Sequence, residues 1–121
     1  LTTGPFAVEY CHQAGIPYVA EGYVDLDFTP DGKVVIEKEK QARDPLEMAD
    51  RALEMFEKQQ ALAVDGSWID MPTQSICIHG DGPNAPEIAT ALHERFEGEG
   101  VEIVGLRELW DGEPGTAKAA E

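Results

Sequence analysis

The stretch "SICIHGDGPNAPE", Ser75 to Glu87, sets an imidazole and a carboxylate, His79 and Asp81, directly behind a short apolar run and ahead of a helix start. In that place His79 suits a general acid or base or a metal ligand, Asp81 suits its orientation or a cation, and free amides around Asn84 suit an anion. Gly80, Gly82 and Pro83 equally suit a plain turn in which His79 bonds only the backbone, and spacing alone leaves both readings open. A second polar group, Glu21, Asp25 and Asp27, follows "PYVA" at the same kind of strand edge. Paired carboxylates there could divide acid and base roles or coordinate Mg²⁺, and a solvated acidic loop uses the same residue types. His12 and His93 fall on predicted helices as surface or packing residues. Three histidines without Cys-rich spacing make no structural zinc pattern, no metal ligands are assigned, and neither a GxxxxGKS/T loop nor a GxGxxG fingerprint occurs.

The elements that must position these residues follow from periodicity and turn chemistry. Pro5 at a first helical position, then Phe6, Val8, Tyr10 and Cys11, with Gly15 as a left-handed stop, predict a short helix. "IPYVAEGYV" has strand composition, and "DLDFTPDGKVVIE" predicts an excursion with a Pro-Asp-Gly turn and a short extended run from Lys33 to Ile36. Asp44, Pro45 and Glu47 form a capping sequence ahead of Leu46, Ala49, Leu53 and Phe56 at helical spacing, predicting a helix of about four turns. Asp65-Gly66 signals a two-residue hairpin with Trp68 and Ile69 on its returning arm.

Ile76, Cys77 and Ile78 read as a strand covered on both faces, hence as part of a parallel sheet. Asn84, Pro86 and Glu87 cap a further helix with Ile88, Leu92 and Phe96 buried, "VEIVG" follows as a strand, and the tail from Leu106 reads as a flexible arm. The order is α/β, with one folded unit over residues 1–105 and a tail over 106–121. Right-handed crossovers would build a parallel sheet or about half of a barrel, since a closed barrel takes about eight strands and ~250 residues.

Composition narrows the classes. At 121 residues and 42% apolar, the chain suits one domain. A formal charge of −15 opposes nucleic acid and anionic membrane surfaces, and no apolar run approaches the ~20 residues of a membrane span. Cys11 and Cys77 lack CxxC spacing and no secretory segment is visible, which predicts reduced thiols in a cytoplasmic protein. A first residue that is Leu rather than Met reads as the start of a fragment.

"SICIHGDGPNAPEIATAL" resembles the C-terminal signature of the LamB/YcsF family, the A subunits of 5-oxoprolinase, in which an S-I-C-V-H-G-D-x-P-x-A pattern precedes a helix. "YVAEGYVDLDFTPDGKVVI" is similar to that family's preceding segment, and "DPLEMADRALEMF" and "VDGSWIDM" fill the interval as in the family. The resemblance reaches from the start of the chain to about Gly105. It implies the C-terminal part of an incomplete (β/α) barrel related to polysaccharide deacetylase folds. It also implies ATP-dependent hydrolysis of the 5-oxo-L-proline lactam to L-glutamate, with ATP and Mg²⁺, beside the B and C subunits of 5-oxoprolinase.

By position, the resemblance makes His79, Asp81 and Asp25 the catalytic candidates and Glu21 and Asn84 the candidates for binding a small anionic substrate. Leu26 and Glu37 stand where many relatives carry Arg, which removes two anion clamps. The family's N-terminal half, with an Asn-Cys-Asp-type segment and further histidines, has no counterpart here. The resemblance therefore implies that the chain works only with that half, in the same or another polypeptide. Two other readings compete: a non-catalytic binding or assembly module of the same fold, and a metal-dependent deacetylase-like hydrolase.

Overall fold

The computed structural model describes residues 1–109. Helix α1 (Pro5–Ala14) starts on Pro5 and ends on Gly15, whose φ of 67° is the left-handed conformation expected of that stop. Strand β1 (Glu21–Tyr23) follows, then α2 (Pro45–Lys58), β2 (Gln60–Leu62), β3 (Trp68–Asp70), β4 (Ser75–Cys77), α3 (Ala85–Gly98) and a single turn of helix, α4 (Leu106–Leu109). The order is α/β, and β1 pairs with β4 in parallel, as a connection running through α2 requires. Thr2 adds one parallel bridge to Ala20 on the outer edge of β1, donating to the Val19 carbonyl and accepting from the Glu21 amide.

Helix α2 is long because Asp44 caps it, its carboxylate accepting from the Leu46 and Glu47 amides, and because its buried residues recur on one face. That face, Met48, Ala49, Ala52 and Leu53, packs with Val24 and with Ile88, Leu92 and Phe96 of α3 to make the main core. Ile76 and Ile78 lie against the same core. A smaller core of Phe28, Met55, Ala61 and Met71 lies under the β2–β3 hairpin. Gly22 on β1 is required by packing, since a Cβ there would stand 2.8 Å from Thr73 Oγ1 and 2.9 Å from Met55 Cε. Gln59 fastens this region by donating to the Thr73 carbonyl and accepting from its amide.

Several expected elements are shorter or differently closed. "IPYVAEGYV" pairs only from Ala20, because Pro17 has no amide to donate and the chain around it is open to solvent. The run from Lys33 to Ile36 makes one bridge, Phe28 to Val34, around a turn whose Gly32 has φ 84°. The Asp65-Gly66 hairpin has three loop residues, Val64 to Gly66. Ala63 bonds Ser67 across it, and Gly66 takes φ 87°, the usual solution for a three-residue loop.

Strand β4 is half-buried rather than covered on both faces, since β1 pairs along one edge and the helices cover one side. "VEIVG" has no ladder partner among the described residues and forms no strand there. The part of the expected flexible tail that is described forms α4, with Leu109 buried, and residues 110–121 lie outside the described residues. No described helix is long and apolar enough to cross a membrane.

Candidate functional site

Strand register brings the two polar segments together. With Tyr23 opposite Cys77 in the parallel pair, Asp25 and His79 emerge two residues later from adjacent strand ends. Asp25 grips His79 twice: Oδ2 accepts from the His79 backbone amide at 2.6 Å, and Oδ1 lies 2.7 Å from Nδ1. A carboxylate can only accept, so Nδ1 carries the proton and Nε2 is left as the basic nitrogen. The Asp25 side chain is 8% exposed and that of His79 28%, so the carboxylate is buried and the imidazole reaches solvent. Tyr23 meets the imidazole edge to face with ring centroids 5.0 Å apart. Burial raises the Tyr23 hydroxyl above its ordinary value, with Glu21 and Cys77 adding to the effect, so it stays neutral.

A second network flanks this pair. Arg43 donates to both oxygens of Asp27, at 3.1 and 3.4 Å, and to Glu37 at 2.5 Å. Arg51 donates to Asp27 at 3.2 Å and to the Leu26 carbonyl at 2.7 Å. Burial alone would raise the Asp27 carboxyl, but hydrogen bonds and charge from Arg43 and Arg51 outweigh it and hold it below its ordinary value. Hydrogen bonding to Asp27 in turn raises Arg43.

Asn84 occupies the N-cap position of α3 without capping it. Its amide instead accepts from the Arg43 backbone N–H at 3.2 Å and donates to the Arg43 carbonyl at 2.6 Å. Donor and acceptor together satisfy the backbone N–H and C=O of a single residue, Arg43, and so are not available to cap α3.

Of the residues selected from sequence, Asp25 and His79 are in direct contact. Asn84 lines the recess beside them together with Glu37, Lys40 and Arg43. Asp81 lies at the tip of a turn closed by the Gly82 amide on the His79 carbonyl, and pairs with Lys40 at 3.3 Å. Glu21 sits on β1 opposite Ser75, within electrostatic reach of Tyr23 and Cys77. His12 and His93 are exposed on α1 and α3. Leu26 is buried in the core, and Glu37 is an acceptor for Arg43.

Sequence reasoning missed Tyr23, Lys40, Arg43 and Arg51. One signal was available: in a chain with 9 basic residues, Lys38, Lys40 and Arg43 fall together just before the Asp44 cap. Among the described residues no three His, Cys, Asp or Glu side chains are placed to share a metal ion. That donor set does not fit a Mg²⁺ site by itself.

A family model described as the LamB/YcsF family matches residues 2–111. The chain is 42% identical over 91 residues to the 5-oxoprolinase A subunit of Mycobacterium avium (strain 104), covering 74% of this chain and 36% of that protein. It is 33% identical over 104 residues to the 5-oxoprolinase A subunit of Thermococcus sibiricus (strain DSM 12597 / MM 739), covering 84% of this chain and 41% of the relative. A lactam utilization protein of known structure from Thermus thermophilus superposes with a TM-score of 0.60 at 33% identity, over 69% of this chain and 33% of that one. The chain thus spans somewhat over a third of the curated relatives that it matches.

Proposed function

Because the chain belongs to the LamB/YcsF family, we propose that it is the C-terminal part of a protein like the 5-oxoprolinase A subunit, supplying the acid–base side of a lactam-hydrolysing site. The observation that carries this reading is the double grip of Asp25 on His79, which leaves Nε2 basic at the edge of a recess. The names of the relatives, a lactam utilization protein and a 5-oxoprolinase subunit, support the substrate class.

In this reading the His79 Nε2 takes a proton from water as the water oxygen adds to the lactam carbonyl carbon. Asp25, bonded to Nδ1–H, steadies the imidazolium so formed. The C–N bond then breaks and the same proton passes from Nε2 to the leaving nitrogen. The sum is lactam plus water giving the open-chain amino acid, with the imidazole returned to its starting state. General acid–base assistance of this kind contributes about 10²–10⁴-fold. ATP is consumed as co-substrate, a second water giving ADP and phosphate for each lactam opened, and Mg²⁺ would be held where other parts of the assembled protein contribute ligands.

The assembly we propose has two levels. The parallel pair with its helices is a sector of an incomplete (β/α) barrel of the polysaccharide deacetylase type, completed by the N-terminal half, in the same or another chain. That half lies against α1, which has no buried residue and exposes Phe6 and Tyr10. The B and C subunits then act with the completed barrel in the cytoplasm, where ATP is available. Reconstitution with the N-terminal half and these partners tests the reading. ATP-dependent glutamate formation from 5-oxoproline is the expected result, and a folded assembly that forms none contradicts it.

A further inference from the structure

The recess beside His79 is lined by two carboxylates, Asp25 and Glu37, and two cations, Lys40 and Arg43, and the cations are not equivalent. Arg43 is bound to Asp27 and Glu37, and Arg51 to Asp27 and a backbone carbonyl, so both are committed to holding the excursion between β1 and α2 in place. Lys40 lines the same recess as Asp25 and His79 but has one carboxylate partner among the described residues, Asp81 at 3.3 Å. The Lys40 side chain is 25% exposed and that of Asp81 71%. An ion pair with so open a member contributes about 0.2–1 kcal/mol, so another anion can replace it at little cost.

The position of Asp81 favours such an exchange. It stands on a tight turn between Gly80 and Gly82, and a Cβ built on Gly80 would meet nothing within 4 Å. Asp81 is exposed at this tip. Lys40 also acts on the strand end itself: burial raises the Cys77 thiol, Glu21 and Asp25 add to this, and Lys40 opposes them. Without Lys40, an anionic ligand in this recess would meet Asp25 and Glu37, with Arg43 already paired to Glu37 and Asp27, in a chain of formal charge −15.

We propose that Lys40 receives the anionic group of the ligand, a carboxylate or a phosphoryl group, and that Asp81 occupies that place until the ligand displaces it. The naming of the ligand as 5-oxoproline or a phosphorylated form rests on the lactam-hydrolase reading, whereas the exchange at Lys40 does not.

Two measurements on the reconstituted protein separate the claims. Calorimetry with glutamate and with inorganic phosphate reads the anion site without turnover. Lys40→Ala is expected to weaken whichever anion binds by about tenfold or more, and Lys40→Arg to restore part of it, a charged hydrogen bond having been removed and partly returned. Preference for glutamate assigns the carboxylate, and preference for phosphate assigns the phosphoryl group. Equal binding by wild type and Lys40→Ala, or no binding of either anion, overturns the proposal. In steady-state kinetics, Lys40→Ala should raise KM with kcat nearly unchanged, and Asp81→Asn should lower KM. A fall in kcat in Asp81→Asn with unchanged KM would instead place Asp81 in the chemistry and overturn its role as occupant. If no ATP-dependent glutamate forms while the calorimetric difference persists, the lactam-hydrolase reading fails and the anion site stands.

Discussion

Helices α2 and α3 face each other across a shared core, whereas α1, of ten residues, buries none of its side chains. The contrast lies in partners, because α1 has a proline start and a glycine stop as good as any in the chain. Local signals are enough to define a helix here, and only a facing surface fixes its contribution to stability. The candidate site lies on the partnered side. The core of α2 and α3 supports Ile76 and Ile78 from β4, and β4 delivers His79 to Asp25. The site therefore rests on the α2–α3 layer, while Phe6 and Tyr10 of α1 are exposed among the described residues.

Substitutions can sharpen this contrast. The largest effect on stability is expected from Leu92→Ala, which removes a buried side chain between α2 and α3 and should cost about 2–5 kcal/mol in denaturant unfolding. A loss below about 1 kcal/mol would mean that the layer is not the principal core. Gly22→Ala should follow at about 1–3 kcal/mol, because its methyl group meets Thr73 and Met55 beneath the strand pair.

Asp27→Asn has a smaller effect that depends on pH. With Asp27 held below 3.8 in the folded protein, its contribution is present above the unfolded-state value and lost as pH falls through the lower folded value. The variant should be less stable than wild type near neutrality, and the difference should shrink in acid. A gap independent of pH would show that Arg43 and Arg51 do not depend on this charge. At the small end, Phe6→Ser should change stability by less than about 0.5 kcal/mol, since Phe6 is 79% exposed, yet weaken association with the N-terminal half. A large loss in the unassociated chain would contradict the account of α1.

The sequence predicted what short-range chemistry determines. Proline starts, the Asp44 cap, the Gly15 stop and the periodicity of α3 are realised, whereas α2 buries Met48, Ala49, Ala52, Leu53 and Met55 and leaves the expected Leu46 exposed. Strand extents were less legible, since pairing depends on a neighbour: Ala20 pairs because Thr2 lies beside it, and "VEIVG" has no such neighbour among the described residues. Within the site, motif position led to His79 and Asp25, but their contact follows from the register of two strands more than fifty residues apart in sequence. Lys40 and Arg43 were hidden because a basic run before a helix cap reads as solvated surface. Their partners, Asp81, Asp27 and Glu37, become visible only once the excursion folds back.

In the proposed chemistry, Asp25 and His79 act as one unit. The most direct test compares kcat for Asp25→Asn, His79→Ala and the double variant in the reconstituted, folded enzyme. A loss of about 10²–10⁴-fold is expected for His79→Ala, a substantial loss for Asp25→Asn, and a double variant no worse than His79→Ala alone. Losses that multiply, or a His79→Ala enzyme with wild-type kcat, would contradict it.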